Sequence, residues 1–101
     1  MTTDRELLEL AAKAAGIKFH AYVENEFFGN GINTGALDRP LWNPLTDDGD
    51  ALRLAVDLEL DIFFNDGDTD VLNVSEGGGD PYARTRRAIV RAAAEIGRSL
   101  P

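Results

Sequence analysis

Three groups of residues in this chain of 101 have types and spacings that could carry chemistry. The first is a run of carboxylates: Asp47, Asp48, Asp50, Asp57, Asp61 and Asp66. Oxygen-only ligand sets suit magnesium, and a carboxylate-held magnesium ion serves phosphate-ester or nucleotide chemistry. Each of these acids also has a local structural use, as a helix cap, a first-turn residue, a strand end or a turn residue, and that use is the preferred reading. The acidic turn Asp66-Gly67-Asp68-Thr69-Asp70 opens like a calcium loop. Such a loop requires glycine at its sixth position and glutamate at its twelfth. Those positions hold Val71 and Gly77, so a solvated turn is expected. No metal site and no cofactor is assigned.

The second group is cationic. Arg84, Arg87 and Arg91 stand three and four apart and share one face of a helix, with Arg86 beside them. Such a face suits an anion, for example a nucleotide signal held at a subunit interface. A nucleic-acid contact is a further use of it, but pairing with the acidic middle of the same chain or of a second copy is the preferred reading, because the net field is negative. The third is His20, the single histidine, whose imidazole is suited to acid–base work near neutral pH. No serine or cysteine nucleophile is placed beside it by sequence, so no triad is assigned and no catalytic residue is named. Gly29-Asn30-Gly31-Ile32-Asn33-Thr34-Gly35 is glycine-rich but lacks the lysine and hydroxyl residue of a phosphate-binding loop. Ser75-Glu76-Gly77-Gly78-Gly79-Asp80 precedes a helix start, where an anion can dock, but Glu76 and Asp80 oppose one. Trp42, the single tryptophan, reads as a core anchor between a proline turn and the last helix.

The elements that position these residues follow from pattern. Thr3-Asp4-Arg5-Glu6 is a capping box, and the apolar residues from Leu7 to Ala15 recur at helical spacing up to Gly16, which predicts a helix over 4–15. Ile17, Phe19, Ala21 and Val23 alternate with polar neighbours, which predicts a strand with its odd positions inward. From Glu24 to Arg39 two readings stay open: a short second strand through Ile32, or a long loop. Pro40 and Pro44 force Leu41-Trp42-Asn43 into an extended path. Thr46 or Asp47 caps a second helix over 48–59, with Ala51, Leu52, Ala55, Val56 and Leu58 buried and Arg53 paired to Asp57. Ile62-Phe63-Phe64 is a strand, Asn65-Asp66-Gly67-Asp68 a hairpin turn, Val71–Val74 the return, and Ser75–Gly79 a connector. Asp80-Pro81 starts a final helix over 81–98, with Tyr82, Ile89, Ala93, Ile96 and Leu100 near one face. The expected class is α+β: three helices packed on a small, mainly antiparallel sheet of three to four strands, in one domain.

Composition narrows the function. The net charge is −8, from 18 acids and 10 bases, and a field of that sign repels nucleic acid. Asp38 to Asp80 holds twelve acids and two arginines, whereas Pro81 to Pro101 holds five arginines and one glutamate. With no cysteine, disulfides and thiolate chemistry are excluded. The first residues lack the pattern of a signal peptide, and no apolar run approaches the ~20 residues of a membrane span. The expectation is a soluble protein of the cytoplasm.

Two blocks carry a resemblance. Leu41-Trp42-Asn43-Pro44-Leu45-Thr46-Asp47-Asp48-Gly49-Asp50-Ala51-Leu52-Arg53-Leu54-Ala55 and the helix from Arg84 to Gly97 resemble small bacteriophage and prophage proteins of the phage ABA sandwich domain family, related to the NinX-like phage proteins. The opening Leu7–Gly16 is similar to theirs as well. The resemblance implies a helix–sheet sandwich among phage accessory proteins, located in the host cell cytoplasm, and brings no catalytic residue with it. On that footing the expected function is non-catalytic. The chain would bind and modulate a host protein or complex with a basic surface, as an inhibitor or anti-defence protein, through Asp47, Asp48, Asp50, Asp66, Asp68 and Asp70. A nucleic-acid mimic is one form of this. The alternatives are a metal-dependent phosphate-ester or nucleotide enzyme using the aspartates, and a nucleotide-signal sponge using Arg84, Arg87 and Arg91. An oligomer is compatible with all three.

Overall fold

The computed structural model describes residues 2–27, 29–36 and 41–101. Helix α1 spans Asp4–Ala15. Thr3 accepts the N–H of Glu6 at 3.2 Å, while the Glu6 carboxylate accepts the Thr3 hydroxyl rather than its backbone N–H. Gly16 ends the helix at φ 70°, and the N–H of Ile17 returns to the carbonyl of Ala12.

Strand β1 covers Ala21–Asn25 and pairs antiparallel with β2, Gly29–Asn33. The second-strand reading of this stretch is therefore the one realised. Strand β3, Leu41–Trp42, pairs with β2 in turn, giving a sheet of order β1-β2-β3. The expected extended path of Leu41 holds, and the bracket expected at Pro40 lies outside the described residues. The strand starts later than expected, and Ile17, which precedes it, packs against the core as expected, but from Phe19 on the expected parity is reversed. Tyr22 lies opposite Ile32, and Ile32 lies opposite Trp42, so these three share the inward face. Ile32 and Trp42 are buried, Tyr22 packs against the core, and Phe19 is 45% exposed. The cause is register: a partner strand fixes which side faces in, and a shift of one residue exchanges the faces.

Helix α2 spans Asp48–Asp57 and is capped by Asp47, which accepts the N–H of Asp50 at 2.8 Å. Its inner side is Asp50, Ala51, Leu54 and Ala55. Leu52 and Val56, expected inside, are 62% and 65% exposed. The anchoring of Asp50 described below turns the helix so that positions 50 and 54 face inward. Strands β4 (Ile62–Asn65), β5 (Asp68–Val71) and β6 (Val74–Gly77) form a second antiparallel sheet of order β4-β5-β6. The turn between Asn65 and Asp68 is where the sequence placed it. The return strand comes earlier, and a second reversal at Leu72-Asn73 draws Ser75 to Gly77 out of the expected connector and into β6. The α+β class and the helix order stand, with the strands divided between two sheets.

Helix α3 spans Pro81–Ser99, capped by Asp80 with Pro81 at its first position. It packs on α1, α2, β5 and β6, while α1 also packs on β2. Ala88, Ala92, Ala93 and Ala94 are fully buried. A Cβ placed on Gly97 would stand 2.0 Å from the Leu10 carbonyl oxygen, so the α1–α3 contact runs backbone to backbone there. Thr69 is fully buried and its hydroxyl meets that of Thr85 at 3.0 Å, a polar tie between the second sheet and α3. Tyr82 and Leu100, expected on the apolar face, are exposed because both ends of α3 run past what it covers.

This contact yields a test. Alanine at position 97 gains about 1 kcal/mol of helix propensity, but its methyl must displace a backbone carbonyl, which costs more. Gly97→Ala is expected to lower stability by about 2 kcal/mol net, read as a lower urea midpoint at unchanged slope.

Candidate functional site

The carboxylates divide into those the fold uses and those it leaves free. Asn43 and Asp50 are both buried. The N–H of Asn43 donates to Asp50 Oδ2 at 3.0 Å, and Arg53 Nη2 donates to Asp50 Oδ1 at 2.8 Å. Asn43 Oδ1 accepts the N–H of Leu45 at 3.0 Å, its amide donates to the Asn30 carbonyl at 2.8 Å, and its own carbonyl takes the N–H groups of Thr46 and Asp47. Each carboxylate oxygen of Asp50 therefore has a partner inside the chain. Arg53 turns back to Asp50, and at 3.8 Å to Asp47, instead of pairing with Asp57 as expected. Asp48 holds Arg86 Nη1 at 2.6 Å, and Arg86 Nε donates to the Leu45 carbonyl at 2.8 Å. Asp47, Asp48 and Asp50 thus sit together, with their charge spent on α2 and on its junction with α3.

Asp66, Asp68 and Asp70 stand apart from them on the second sheet. Asp66 and Asp68 are exposed at the β4–β5 turn, while Asp70 is half-buried and accepts Asn65 Nδ2 at 2.6 Å. Among the described residues, no three histidine, aspartate or glutamate side chains gather as a metal site would require. The six acids named for partner binding form two groups, and only the second, with Asp66 and Asp68 exposed, has no ion pair among the described residues.

The cations are also dispersed. Arg87 pairs with Asp4 of α1 at 3.0 Å, and Arg91 pairs with Glu76 of β6. Arg84 makes no ion pair among the described residues, and its Nε is buried without an acceptor. The shared helical face is real, but its arginines reach for different neighbours. A cleft of about 590 Å³ holds Arg87, Arg91 and Arg98 together with Glu76 and Glu95, so its charges largely cancel. His20 precedes β1 and is exposed, its ring against Gly35.

A shallower depression of about 780 Å³ is walled by Tyr22, Asp4, Glu24 and Glu26. Burial first, then the charges of Glu24 and Asp4, push the Tyr22 phenol above its ordinary value of 10.0, against the opposing pull of Arg5. Arg5 lies over the Tyr22 ring, 5.5 Å from its centre.

The feature that pattern reading missed is an apolar groove of about 370 Å³ between α2, β4 and the first turns of α3. Leu52, Ile62, Phe64, Tyr82 and Ile89 line it. Phe64 is 73% and Tyr82 68% exposed. It exists because α3 covers β5 and β6 while β4 lies beyond its main contacts. Cross-strand register puts Ile62 and Phe64 on the same side of the sheet as Thr69 and Val71, toward the helices. A signal for it was present: adjacent Phe63 and Phe64 point to opposite faces of a strand, so both cannot be core. Among the described residues the acid that lines it is Asp48, which is paired with Arg86. Asp61 and Asp66 flank β4 in the chain, both exposed and neither in an ion pair among the described residues.

Comparison with known proteins finds no family model, no curated protein and no solved structure that matches the chain.

Two outcomes separate structural acids from free ones. Asp50→Ala leaves the Asn43 N–H and the Arg53 guanidinium without their acceptor and is expected to cost about 3 kcal/mol, whereas Asp66→Ala stays within about 0.5 kcal/mol of the parent; urea titration reads both. A raised phenol pKa means the unfolded state loses its proton first, so Tyr22 contributes stability below pH 10 that is lost as pH climbs toward its folded value. In Tyr22→Phe the alkaline fall in melting temperature should be smaller than in the parent.

Proposed function

We propose that this chain is a non-catalytic binding protein that engages a macromolecular partner through the apolar groove between α2, β4 and α3. One observation carries the reading: a cluster of exposed large apolar side chains lies against β4, whose two ends carry the exposed acids Asp61 and Asp66. Apolar centres with polar rims are how protein interfaces are built, and contiguous exposed apolar surface of this kind marks interaction sites. The exposed acids at the ends of β4 and the net charge of −8 favour a partner whose matching surface is basic, and complementarity of that kind selects the partner and speeds encounter. The same negative field disfavours nucleic acid itself as the ligand.

The resemblance of the Leu41–Ala55 and Arg84–Gly97 blocks to phage accessory proteins supports a partner in a bacterial host, where an inhibitory or anti-defence role is the natural use of such a surface. A nucleic-acid mimic is the form this takes if the basic surface ordinarily reads phosphate. No helix among the described residues is long and apolar enough to cross a membrane, and a partner in the host cytoplasm accords with that.

The measurement is affinity capture from host-cell extract with the parent and with a Leu52→Ser, Phe64→Ser double variant, both changes lying at exposed positions. The parent should retain a basic protein or complex that roughly 0.5 M salt releases, and the variant should lose it. Equal retention by both proteins would overturn the groove as the binding surface. Retention indifferent to salt would remove the mimic form.

A further inference from the structure

Strand β4 is the outer strand of its sheet, with β5 on one side and no chain on the other among the described residues. Its four residues, Ile62-Phe63-Phe64-Asn65, carry no proline, no lysine and no charge to guard the free edge. The alternate amides and carbonyls directed away from β5 therefore stand as a ready template for another strand. Beside that edge lies the groove, floored by Tyr82 and Ile89 and walled by Leu52. Side chains on the inward face of an added strand would enter it, at every second position.

A second copy of this chain is a poor occupant. In an antiparallel two-fold pairing of β4 with itself, Ile62 of one copy meets Asn65 of the other, which sets Asp61 beside Asp66 at both ends. Like charges directly opposite one another in a sheet are unfavourable, and each copy carries −8. A segment with basic residues at its ends meets the same two acids favourably.

Resting on the groove reading above, we infer that the partner is a protein that donates an extended segment to β4, with apolar residues at alternate positions and lysine or arginine at both ends. Backbone pairing supplies affinity, the groove selects the inward side chains, and Asp61 and Asp66 select the flanking cations. This is strand addition, a mode in which main-chain hydrogen bonds bind and alternate pockets discriminate.

The probe is a synthetic peptide with lysine at each end and valine alternating with threonine between them, titrated into isotope-labelled protein. Two companions carry N-methyl groups on one or the other alternating set of amides, keeping side chains and charge. Only one set of a strand's amides faces a given neighbour. The parent peptide should shift the amide resonances of Ile62–Asn65 and slow exchange at alternate ones. One methylated peptide should bind like the parent and the other about tenfold more weakly. Equal binding by all three peptides would overturn strand addition while leaving the groove as a binding surface. Absence of shifts in β4 at about 1 mM peptide would overturn strand addition too, and the capture result with Leu52→Ser, Phe64→Ser would then stand or fall independently. Concentration-dependent dimerisation that protects β4 without peptide would make a second copy the occupant and overturn the inference.

Discussion

The close approach of α1 and α3 at Gly97 and Leu10 sets the scale of the whole molecule. Two helices whose backbones nearly touch cannot hold large side chains between them, and the chain complies with Ala11 and Ala12 on one side and Ala88, Ala92 and Ala93 among the buried residues of the other. The larger core side chains are displaced to the flanks. Leu8, Ile32 and Trp42 belong to α1 and the first sheet, Leu54 to α2, and Val71 and Val74 to the second sheet. α3 is thus a thin central wall with a different neighbour on each side. A wall of that kind covers only what lies directly against it. It covers β5 and β6, and it leaves the inner face of β4 open.

The second organising contact is polar. Asn43 and Asp50 together hold the chain between the first sheet and α2, with Asn30, Leu45 and Arg53 as their partners. A buried carboxylate is costly unless its lone pairs are met, and here a backbone N–H and a guanidinium meet them. The rotation of α2 follows directly. With Asp50 held inward, Leu54 lies one turn further along the same side, and Leu52 and Val56 are carried out to solvent. Leu52, which pattern alone would assign to the core, becomes one wall of a surface groove.

What could be read from the sequence was whatever is decided within a few residues. The Thr3, Asp47 and Asp80 caps, the stop at Gly16, the turn at Asp66-Gly67 and the three helices are local, and each was found where pattern placed it. The parity of β1 was not local: it depends on Ile32 and Trp42, which lie across the sheet. Strand β6 was concealed by its glycine and serine content, and only the positive φ of Leu72, 53°, brings Val74 beside Val71. For the arginines, pattern showed a shared face but could not choose among acids scattered along the chain. The acids that pattern grouped as one array were separated by the fold into three that build α2 and its junctions, and three on the second sheet. The groove was invisible for the deeper reason that it is made by what α3 fails to cover.

The ion pairs of α3 also have a consequence for how the protein comes into being. Arg86 reaches Asp48, Arg87 reaches Asp4 and Arg91 reaches Glu76, so the last helix answers acids from the first helix, the second helix and the second sheet. Up to Asp80 the chain holds 17 acids against 5 bases. As it leaves the ribosome, that portion is a self-repelling polyanion without the wall its helices and sheets pack on. Synthesis of the C-terminal helix supplies the wall and the countercharge in the same stroke. Compaction is thereby tied to the emergence of α3, and a chain stopped before residue 81 carries neither.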